Sequence, residues 1–565
     1  KKLKKKNQMS AQASSSSADA ASSSGSKKTS SGRSSSSGRR KYGTWSKKKH
    51  SKEKMKAAKD LEFIDSLAAE SLDKFIEETL ANKEIGAVRT LDLSRKNLVE
   101  LSPKVRFYMR MLGKLERLNL YCNKLRALPP EMGNLVSLVH LGLNENQLSE
   151  LPRELFECTK LQLLDARFNK LTRIPAEIGQ LSNLRRLFLR FNKLTKLPEE
   201  IGHLTQLVVL SCRNNRLASL PDAINACTAL EVLDVQHNQL PEMPPIGNLV
   251  QLTSLDVQFN YLVALPQGVE NLTRLQGLHV KYNQITEIPP SVLTTLTTLQ
   301  ELDFENNRLK TVSDRICELH LLQKLYLSRN AIQLLPDSFG KIPCLEELFL
   351  NDNMLTDITV ITQLLTLRIL NLNNNRIEVV PQSIANLTLL RELSLSGNDI
   401  KVIGPEFGAL ASLTDLHLND NAIESLPKEI SKLTILQTLN LEGNQLRKLP
   451  PEIGSLPGLR KITLGYNRLV EITPAIGKLT NLVELNIDEN LLKELPKEIG
   501  DIVKLEVLSF NDNDIDDLPP ELYNLDHLRL FGMDDNPLSA LPDHIVEHGS
   551  QEVFNYLGER LHESI

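Results

Sequence analysis

Residues 115–125 read LERLNLYCNKL, which is one copy of the pattern L-x-x-L-x-L-x-x-N-x-L. The closing asparagine recurs nineteen times, the last copy being Asn536, and almost every step between copies is 23 residues long. The steps that end at Asn260 and Asn375 have 22 residues, and the step that ends at Asn307 has 24. A fixed short period of this kind predicts a solenoid, in which each repeat packs only against its neighbours.

An earlier copy of the pattern, VRTLDLSRKNL from Val88, has Lys96 in place of the asparagine, as expected of a repeat at the edge of an array. Twenty repeats therefore run from Val88 to Pro542. The pattern is typical of leucine-rich repeats. We expect an α/β solenoid, a horseshoe of about twenty 23-residue repeats with a parallel sheet on its concave side and helical end caps.

Side chains should alternate between the two faces of each short strand. In LERLNLYCN, Leu115, Leu118 and Leu120 are predicted to face the core, whereas Arg117 and Tyr121 project outward. The closing asparagine is predicted to be buried and to bond to the backbone of neighbouring turns, so that the asparagines stack as a ladder. A second motif, L-x-x-L-P-x-x-I-G-x-L, follows the asparagine, and its proline favours an irregular return over a full helix.

The first 59 residues differ in composition from the rest of the chain. They contain 18 Lys and Arg against Asp19 and Glu53, a net charge of +16, although the whole chain carries −3. Segments such as KKLKKK and SSSSADAASSSGS offer little apolar surface to bury, so residues 1–56 are predicted to be a disordered basic tail. Such a tail could bind an acidic surface, or it could stay solvated with no fixed partner.

Both ends of the array, assigned to residues 88–542, need a cover for their apolar faces. Apolar residues at helical spacing between Leu61 and Leu80 predict an N-terminal capping helix within 57–87, with a partner-binding amphipathic helix as the alternative. Residues 543–565 predict a C-terminal cap made of a final turn and a short helix, interrupted by Gly549.

Neither a catalytic nor a metal-binding constellation is visible in the sequence. The motifs G-x-x-x-x-G-K-[ST], G-x-S-x-G and H-E-x-x-H do not occur. Histidines at outward positions have no carboxylate or thiolate partner at metal-ligand spacing. We expect a non-enzymatic protein with no cofactor, no metal site and no catalytic residue.

Cysteine usage and hydropathy bear on the compartment. The six cysteines are scattered singly through the repeats, which favours a reducing environment. We find neither a signal peptide nor an apolar run long enough to span a membrane. The sequence therefore predicts a cytoplasmic protein, with the nucleus as a second location reached through the basic tail.

The outward strand positions differ between the two halves of the array. Repeats two to nine carry arginines and aromatic residues there, and these types are the most frequent at protein-binding hot spots. The partner-binding candidates of this half are Arg117, Tyr121, Arg167, Phe168, Arg186, Phe188, Arg190, Phe191, Arg213, His237, Phe259, Lys281 and Tyr282.

Repeats twelve to twenty carry twelve acidic residues at the same positions, opposed by Lys461. Such a surface would attract a basic partner, and the basic tail of the chain itself is another candidate occupant. The alternative is that these positions serve solubility alone. The partner-binding candidates of this half are Asp352, Asp420, Asp488, Glu489 and Asp512.

Several segments resemble a known family. LNLYCNKLRALP, LDARFNKLTRIP and LFLRFNKLTKLP, with the lead-in KFIEETLANKEIGAVRTLDLSRKNL, are similar to suppressor-of-clear-type scaffolds of the Ras–Raf pathway, which belong to the Ras group of intracellular leucine-rich-repeat proteins. The resemblance covers residues 73–557. It implies that the concave face holds a Ras-type GTPase in its GTP form together with the catalytic subunit of a type-1 serine/threonine phosphatase. Dephosphorylation of Raf kinase, the indirect client, would then promote MAP-kinase signalling.

Two other functions stay open at this point. A generic intracellular leucine-rich-repeat adaptor with an unrelated protein partner would need only the repeats and their caps. Nucleic-acid binding would use the tail, where Arg39, Arg40 and Lys41 lie close to Tyr42 and Trp45. The sequence favours protein partners over nucleic acid, because the outward positions of the repeats are the more distinctive feature.

Overall fold

The computed structural model of this protein describes residues 88–563. The predicted disordered tail, residues 1–56, and the predicted capping helix within 57–87 lie outside the described residues.

Twenty strands of three residues form a single parallel sheet in the described part of the chain. Each strand pairs with the next one along the chain, and the middle residues of neighbouring strands lie directly opposite each other. The strands, which we number as their repeats, are β1 (Thr90–Asp92), β2 (Arg117–Asn119), β3 (His140–Gly142), β4 (Leu163–Asp165), β5 (Arg186–Phe188), β6 (Val209–Ser211), β7 (Val232–Asp234), β8 (Ser254–Asp256), β9 (Gly277–His279), β10 (Glu301–Asp303), β11 (Lys324–Tyr326), β12 (Glu347–Phe349), β13 (Ile369–Asn371), β14 (Glu392–Ser394), β15 (Asp415–His417), β16 (Thr438–Asn440), β17 (Lys461–Thr463), β18 (Glu484–Asn486), β19 (Val507–Ser509) and β20 (Leu530–Gly532).

The chain returns from one strand to the next through short helical turns. Two of the returns contain α-helices, α1 (Pro103–Met109) and α2 (Pro290–Thr295), and sixteen others within residues 88–563 contain 3₁₀ helices. The 3₁₀ helices are Pro130–Asn134, Arg153–Glu157, Ala176–Gln180, Glu199–His203, Asp222–Ala226, Val269–Asn271, Asp314–Glu318, Phe339–Lys341, Thr359–Gln363, Gln382–Asn386, Pro405–Ala409, Lys428–Lys432, Pro451–Ser455, Pro474–Lys478, Lys497–Asp501 and Pro520–Asn524. These features confirm the predicted leucine-rich-repeat solenoid.

The second sequence motif explains why the returns are short and tightly packed. Pro198 enters the turn Glu199–His203 in an extended conformation, with φ −75° and ψ 155°, close to the φ that its ring imposes. Gly202 follows, and a Cβ atom there would lie 2.6 Å from the carbonyl oxygen of Ala223 in the next return. Only glycine therefore allows neighbouring returns to approach this closely.

The core lies between the sheet and the returns. Leu115, Leu118 and Leu120 are buried, as their alternation predicts, and so is Met132 of the following return. Burying a side chain of this size stabilises a fold by about 1.5–3 kcal/mol, and each repeat contributes several. No single repeat could form such a core, because every buried leucine also needs the repeats on either side.

The closing asparagines form the predicted ladder. The Nδ2 group of Asn215 donates to the carbonyl oxygens of Leu189 at 3.0 Å and Cys212 at 2.8 Å, and its Oδ1 accepts from the backbone N–H of Leu194 at 3.0 Å. The same set of bonds recurs at Asn536, near the end of the array. Each amide thus ties its own repeat to the preceding one.

Two helices, α3 (Asp543–Glu547) and α4 (Ser550–Glu563), follow the last strand. Val553 and Leu557 of α4 are buried, and the ring of Phe554 lies 5.4 Å from that of Tyr523 in the last return. Helix α4 therefore packs against the end of the apolar core.

Candidate protein-binding face

Four outward positions in each repeat make up what we call the sheet face. Two of them flank the middle residue of the strand, and the other two are the residues just before the ladder asparagine. In repeat two these positions hold Arg117, Asn119, Tyr121 and Cys122, and all four are at least partly exposed. All eighteen partner-binding candidates lie on this face: Arg117, Arg186 and Phe188 are strand residues, and the other fifteen are one or two residues before a ladder asparagine.

The residue immediately before the ladder asparagine, which we call the turn position, has a left-handed backbone. From repeat one to repeat twenty its φ lies between 49° and 67°, with Lys96 standing in for the asparagine in repeat one. Glycine occupies the turn position in two repeats, at Gly397 and Gly443. Left-handed geometry costs a side chain with a Cβ atom about 1–2 kcal/mol. The fold therefore imposes this conformation on whatever residue the position carries.

Aromatic side chains occupy five turn positions between repeats four and nine, and we call them the ring column. Phe168 stacks on Phe191 with ring centroids 4.4 Å apart and planes 8° from parallel. His237 stacks on Phe259 at 4.0 Å, and Phe259 stacks on Tyr282 at 4.4 Å. The turn positions thus bring together five candidates that are 114 residues apart in sequence at their extremes, from 168 to 282.

Two of the basic candidates have partners within the chain. The Nε and Nη2 atoms of Arg167 donate to the carboxylate of Asp165 at 2.7 and 2.6 Å, and the guanidinium lies 5.5 Å from the ring centroid of Phe188. Lys281 forms an ion pair with Glu305. Their charges are largely neutralised within the chain. Arg167 and Lys281 therefore present less positive charge to a binding partner than the sequence suggests.

The other four arginines of this half form no ion pair within residues 88–563: they are Arg117, Arg186, Arg190 and Arg213. In the same part of the chain, the buried Nε atom of Arg190 has no hydrogen-bond partner. Burial lowers the pKa of His140, and the charges of Arg117 and Arg186 lower it further. Repeats two to six therefore present net positive charge on the sheet face.

Two aspartates on the sheet face are unusually hard to ionise. Burial raises the pKa of Asp256 to about 6, and the neighbouring carboxylate of Asp234 adds to the rise. Burial likewise raises the pKa of Asp303 to about 6. Burial lowers the pKa of His237, and the charge of Arg213 lowers it further, against the opposing effect of Asp234.

On the sheet face of the acidic half, repeats twelve to twenty, three carboxylates form ion pairs. These pairs are Glu347 with Lys324 at 3.1 Å, Asp352 with Arg329 at 3.5 Å, and Glu484 with Lys461 at 2.8 Å. Because all three are partly exposed, each contributes little to stability. The first two pairs reduce the net negative charge of repeat twelve. The third pair involves Lys461, the lysine that opposes the acidic residues of this face.

The middle of the acidic half keeps an excess of negative charge. Burial raises the pKa of Glu442, and the charges of Asp420 and Asp488 raise it further. The hydroxyl of Tyr466 is harder to ionise because of its hydrogen bond to Glu489, and Asp512 adds to this effect. Carboxylates that influence one another in this way create a field that favours a positively charged partner.

The sequence pattern did not reveal three features of this face. It gave no indication that five of the aromatic candidates, those of the ring column, share one left-handed position. The signal was available, since each of these five directly precedes a ladder asparagine. The sequence pattern also missed the hydrogen bond that Arg329 Nη1 donates to the hydroxyl of Tyr282 at 2.7 Å. Tyr326 and Phe349, whose rings stack at 5.0 Å, were not among the candidates.

No group of three or more His, Cys, Asp or Glu residues within 88–563 is arranged to hold a metal ion. In that same range, no helix combines the length and the apolar character needed to cross a membrane.

Two family models match the chain. One, described as a leucine-rich repeat region, matches residues 176–259 and 406–490. The other, described as a leucine rich repeat, matches residues 113–171, 250–309, 297–355 and 357–400. Together these matches cover more than half of the chain. Among curated proteins, none matches it.

Solved structures provide further similarity. The plant peptide hormone receptor RGFR1 in complex with RGF2 is 28% identical, with 80% of this chain and 79% of the receptor chain covered and a TM-score of 0.67. The leucine-rich-repeat protein LIC12759 of Leptospira interrogans is 31% identical over 79% of this chain and 96% of its own, with a TM-score of 0.46. YopM from Yersinia enterocolitica is 24% identical over 80% and 88%, with a TM-score of 0.52, and shows the fold alone.

Proposed function

Because this chain belongs to the leucine-rich-repeat proteins, whose fold generally serves as a non-enzymatic module for binding other proteins, we propose that it is a scaffold. Its partners bind on the sheet face, where side chains are free to depart from the repeat pattern. The division of this face into an arginine- and ring-bearing half and an acidic half is the observation that carries the proposal.

The proposed partners are a Ras-type GTPase in its GTP form and the catalytic subunit of a type-1 serine/threonine phosphatase. The resemblance of the repeats to Ras–Raf pathway scaffolds supports this choice, and so does a face with two electrostatic characters. Holding both proteins together would direct the phosphatase to Raf and promote MAP-kinase signalling. The proposed location is the cytoplasm, where these proteins act.

The two halves would bind different surfaces. Arg186 and Arg213 have no ion pair within the described residues and suit an acidic partner surface. Asp420 and Glu442 lie in the acidic half, where like charges already oppose ionisation, and suit a basic one. A cationic partner group placed there would relieve this repulsion as well as add its own attraction.

The test is a pull-down with the immobilised full chain. A lysate is loaded with either a non-hydrolysable GTP analogue or GDP, and the retained Ras-type GTPase and type-1 phosphatase are detected with specific antibodies. We expect both proteins to be retained together, and only with the GTP analogue. Retention of neither protein in either nucleotide state would contradict the proposal.

Charge-reversal variants assign the partners to the two halves. One double variant combines Arg186→Glu with Arg213→Glu, and the other combines Asp420→Lys with Glu442→Lys. Each should lose the partner that binds its own half of the sheet face. Lys160→Glu, an exposed charge reversal outside the sheet face, is the matched control and should retain both. Retention of both partners by both double variants would show that the binding does not depend on the sheet face.

The alternative is an adaptor for a protein outside the Ras pathway. This reading is favoured by the similarity to RGFR1, a leucine-rich-repeat structure whose partner is the peptide RGF2. It predicts that the same charge-reversal variants abolish binding of a different protein while neither the GTPase nor the phosphatase is retained.

A further inference from the structure

The ring column has one interruption. Asn214 takes the turn position between Phe191 and His237, so the stacked series breaks after two rings and resumes for three. An open depression of about 540 Å³ lies here, lined by Phe191, Asn214, His237, Phe259 and ladder asparagines. We call this place the missing rung.

The column contains a second asparagine, which makes a useful comparison. Asn306 occupies the turn position after Tyr282, with φ 52° against 55° at Asn214. There the guanidinium of Arg329, from the following repeat, reaches back across Asn306 and donates to the hydroxyl of Tyr282 at 2.7 Å. The chain itself therefore bridges the gap at Asn306, and within residues 88–563 no corresponding contact joins Phe191 to His237.

The spacing at the missing rung suits a flat group. Neighbouring strands lie about 4.8 Å apart, so the rings of Phe191 and His237 are separated by two such steps, roughly 9–10 Å. Elsewhere in the column, rings one step apart stack at 4.0 to 4.4 Å with nearly parallel planes. A planar group midway between Phe191 and His237 would therefore stack on both of them at once.

Charge determines which planar group is favoured. Arg190 and Arg213 directly precede Phe191 and Asn214, and neither forms an ion pair within the described residues. The Nε atom of Arg213 donates to the side chain of Asn214 at 3.0 Å, whereas the buried Nε atom of Arg190 has no acceptor among the described residues. Asp234 is the carboxylate that acts on His237 here, and it opposes Arg213. Because Arg190 adds a second positive charge, a guanidinium group would be disfavoured, whereas an aromatic ring with carboxylates beside it would find a stacking surface and two guanidinium charges.

We propose that the missing rung at Asn214 receives one aromatic side chain from an acidic segment of a protein partner. The inference deepens the proposed scaffold function and rests on its assignment of partner binding to the sheet face. It adds the type of residue that docks, its place in repeat six and the two arginines that select its neighbours.

The test uses two short peptides and the full-length protein. Acetyl-Asp-Glu-Trp-Glu-Asp-amide is compared with the same peptide carrying Leu in place of Trp, by saturation-transfer difference NMR with titration. We expect the Trp peptide to bind with a Kd of about 1 mM, through its ring protons, and the Leu peptide to bind at least tenfold more weakly. Equal binding of the two peptides, or binding of neither, would overturn the proposal.

Variants of the missing rung separate stacking from general surface effects. Asn214→Phe completes the column and should lower affinity for the Trp peptide about tenfold or more, because it fills the space between the two rings. This variant should fold, since Phe168, Phe191 and Phe259 already occupy turn positions with φ of 53° to 58°. Asn306→Phe makes the same change where Arg329 bridges the gap, and it should leave the affinity unchanged.

Two combinations of results from the pull-down and the peptide titration distinguish this inference from the proposed function. If the pull-down retains the GTPase and phosphatase but the Trp peptide does not bind, the missing-rung proposal fails alone. If the Trp peptide binds as expected but neither protein is retained, the proposed partners are wrong and the docking site stands. Binding of a single-stranded oligothymidylate in place of the Trp peptide would overturn the assignment to a protein partner.

Discussion

At the scale of single residues, two adjacent asparagines, Asn214 and Asn215, have different structural roles. Asn215 is buried and bonds to the backbone of two repeats, whereas Asn214 occupies the left-handed turn position and is half-buried. Residue type alone does not distinguish them, because both amides have the same donors and acceptors. Their register relative to the strand decides which one stabilises the solenoid.

This difference predicts opposite effects of substitution. Asn215→Ala should lower the free energy of unfolding by about 1–3 kcal/mol, because it leaves buried backbone groups of repeats five and six unpaired. Asn214→Gly should cost nothing or stabilise slightly, since glycine adopts φ 55° without strain. Urea unfolding followed by circular dichroism measures both variants. An Asn215→Ala protein as stable as the wild type would show that the ladder bonds contribute no net stability.

A second prediction at this scale concerns Asp256, whose pKa is raised to about 6 by burial and by Asp234. The neutral form of Asp256 is favoured in the folded protein. Asp256 therefore does not lower the free energy of unfolding below about pH 4, lowers it progressively as the pH rises, and has its full effect above pH 6. Asp256→Asn should therefore stabilise the protein at pH 7.5 by up to about 3 kcal/mol and leave stability unchanged at pH 4.

The measurement is the difference in free energy of unfolding between Asp256→Asn and the wild type, taken every half unit from pH 4 to pH 8. Asp222→Asn, at an exposed position on a return, controls for the loss of one negative charge. A difference for Asp256→Asn that stays constant with pH would contradict the raised pKa.

At the scale of structural elements, the repeats could be predicted from the sequence. Their buried positions, and the positions where neighbouring returns lie close together, require particular residues. Leucine at the middle of the strand and glycine at Gly202 leave few alternatives. The long step between Asn283 and Asn307 was also visible, but helix α2 within it was not. One additional residue there allows the N–H of Leu296 to bond to the carbonyl of Val292, four residues back, at 3.1 Å.

The candidate face was less predictable at this scale. Alternation along the strand correctly predicts which side chains point outward, because a strand has a strict two-residue period. It does not predict the backbone conformation of the turn position, which the fold imposes on Phe168 and Asp512 alike. The ring column depends on that shared conformation, and so its stacking and its gap required coordinates.

At the scale of the whole array, the division of charge was readable from sequence because it is a sum over many strands. Local pairing was not, since Arg167 and Lys281 are neutralised by Asp165 and Glu305 through particular side-chain conformations. The surviving asymmetry lies between the arginines of repeats two to six and the carboxylates around Glu442. Charges spread in this way act on association more than on stability.

The division of charge therefore predicts how salt affects binding. The partner lost in the Asp420→Lys, Glu442→Lys variant should associate with the wild type more slowly as NaCl rises from about 0.05 to 0.3 M, because screening shortens the range of the acidic field. Its dissociation rate should change much less, since contacts within the complex are partly shielded from solvent. Stopped-flow association with that purified partner measures both rates. Salt-independent association would contradict steering by the acidic half and leave its carboxylates as a contribution to solubility.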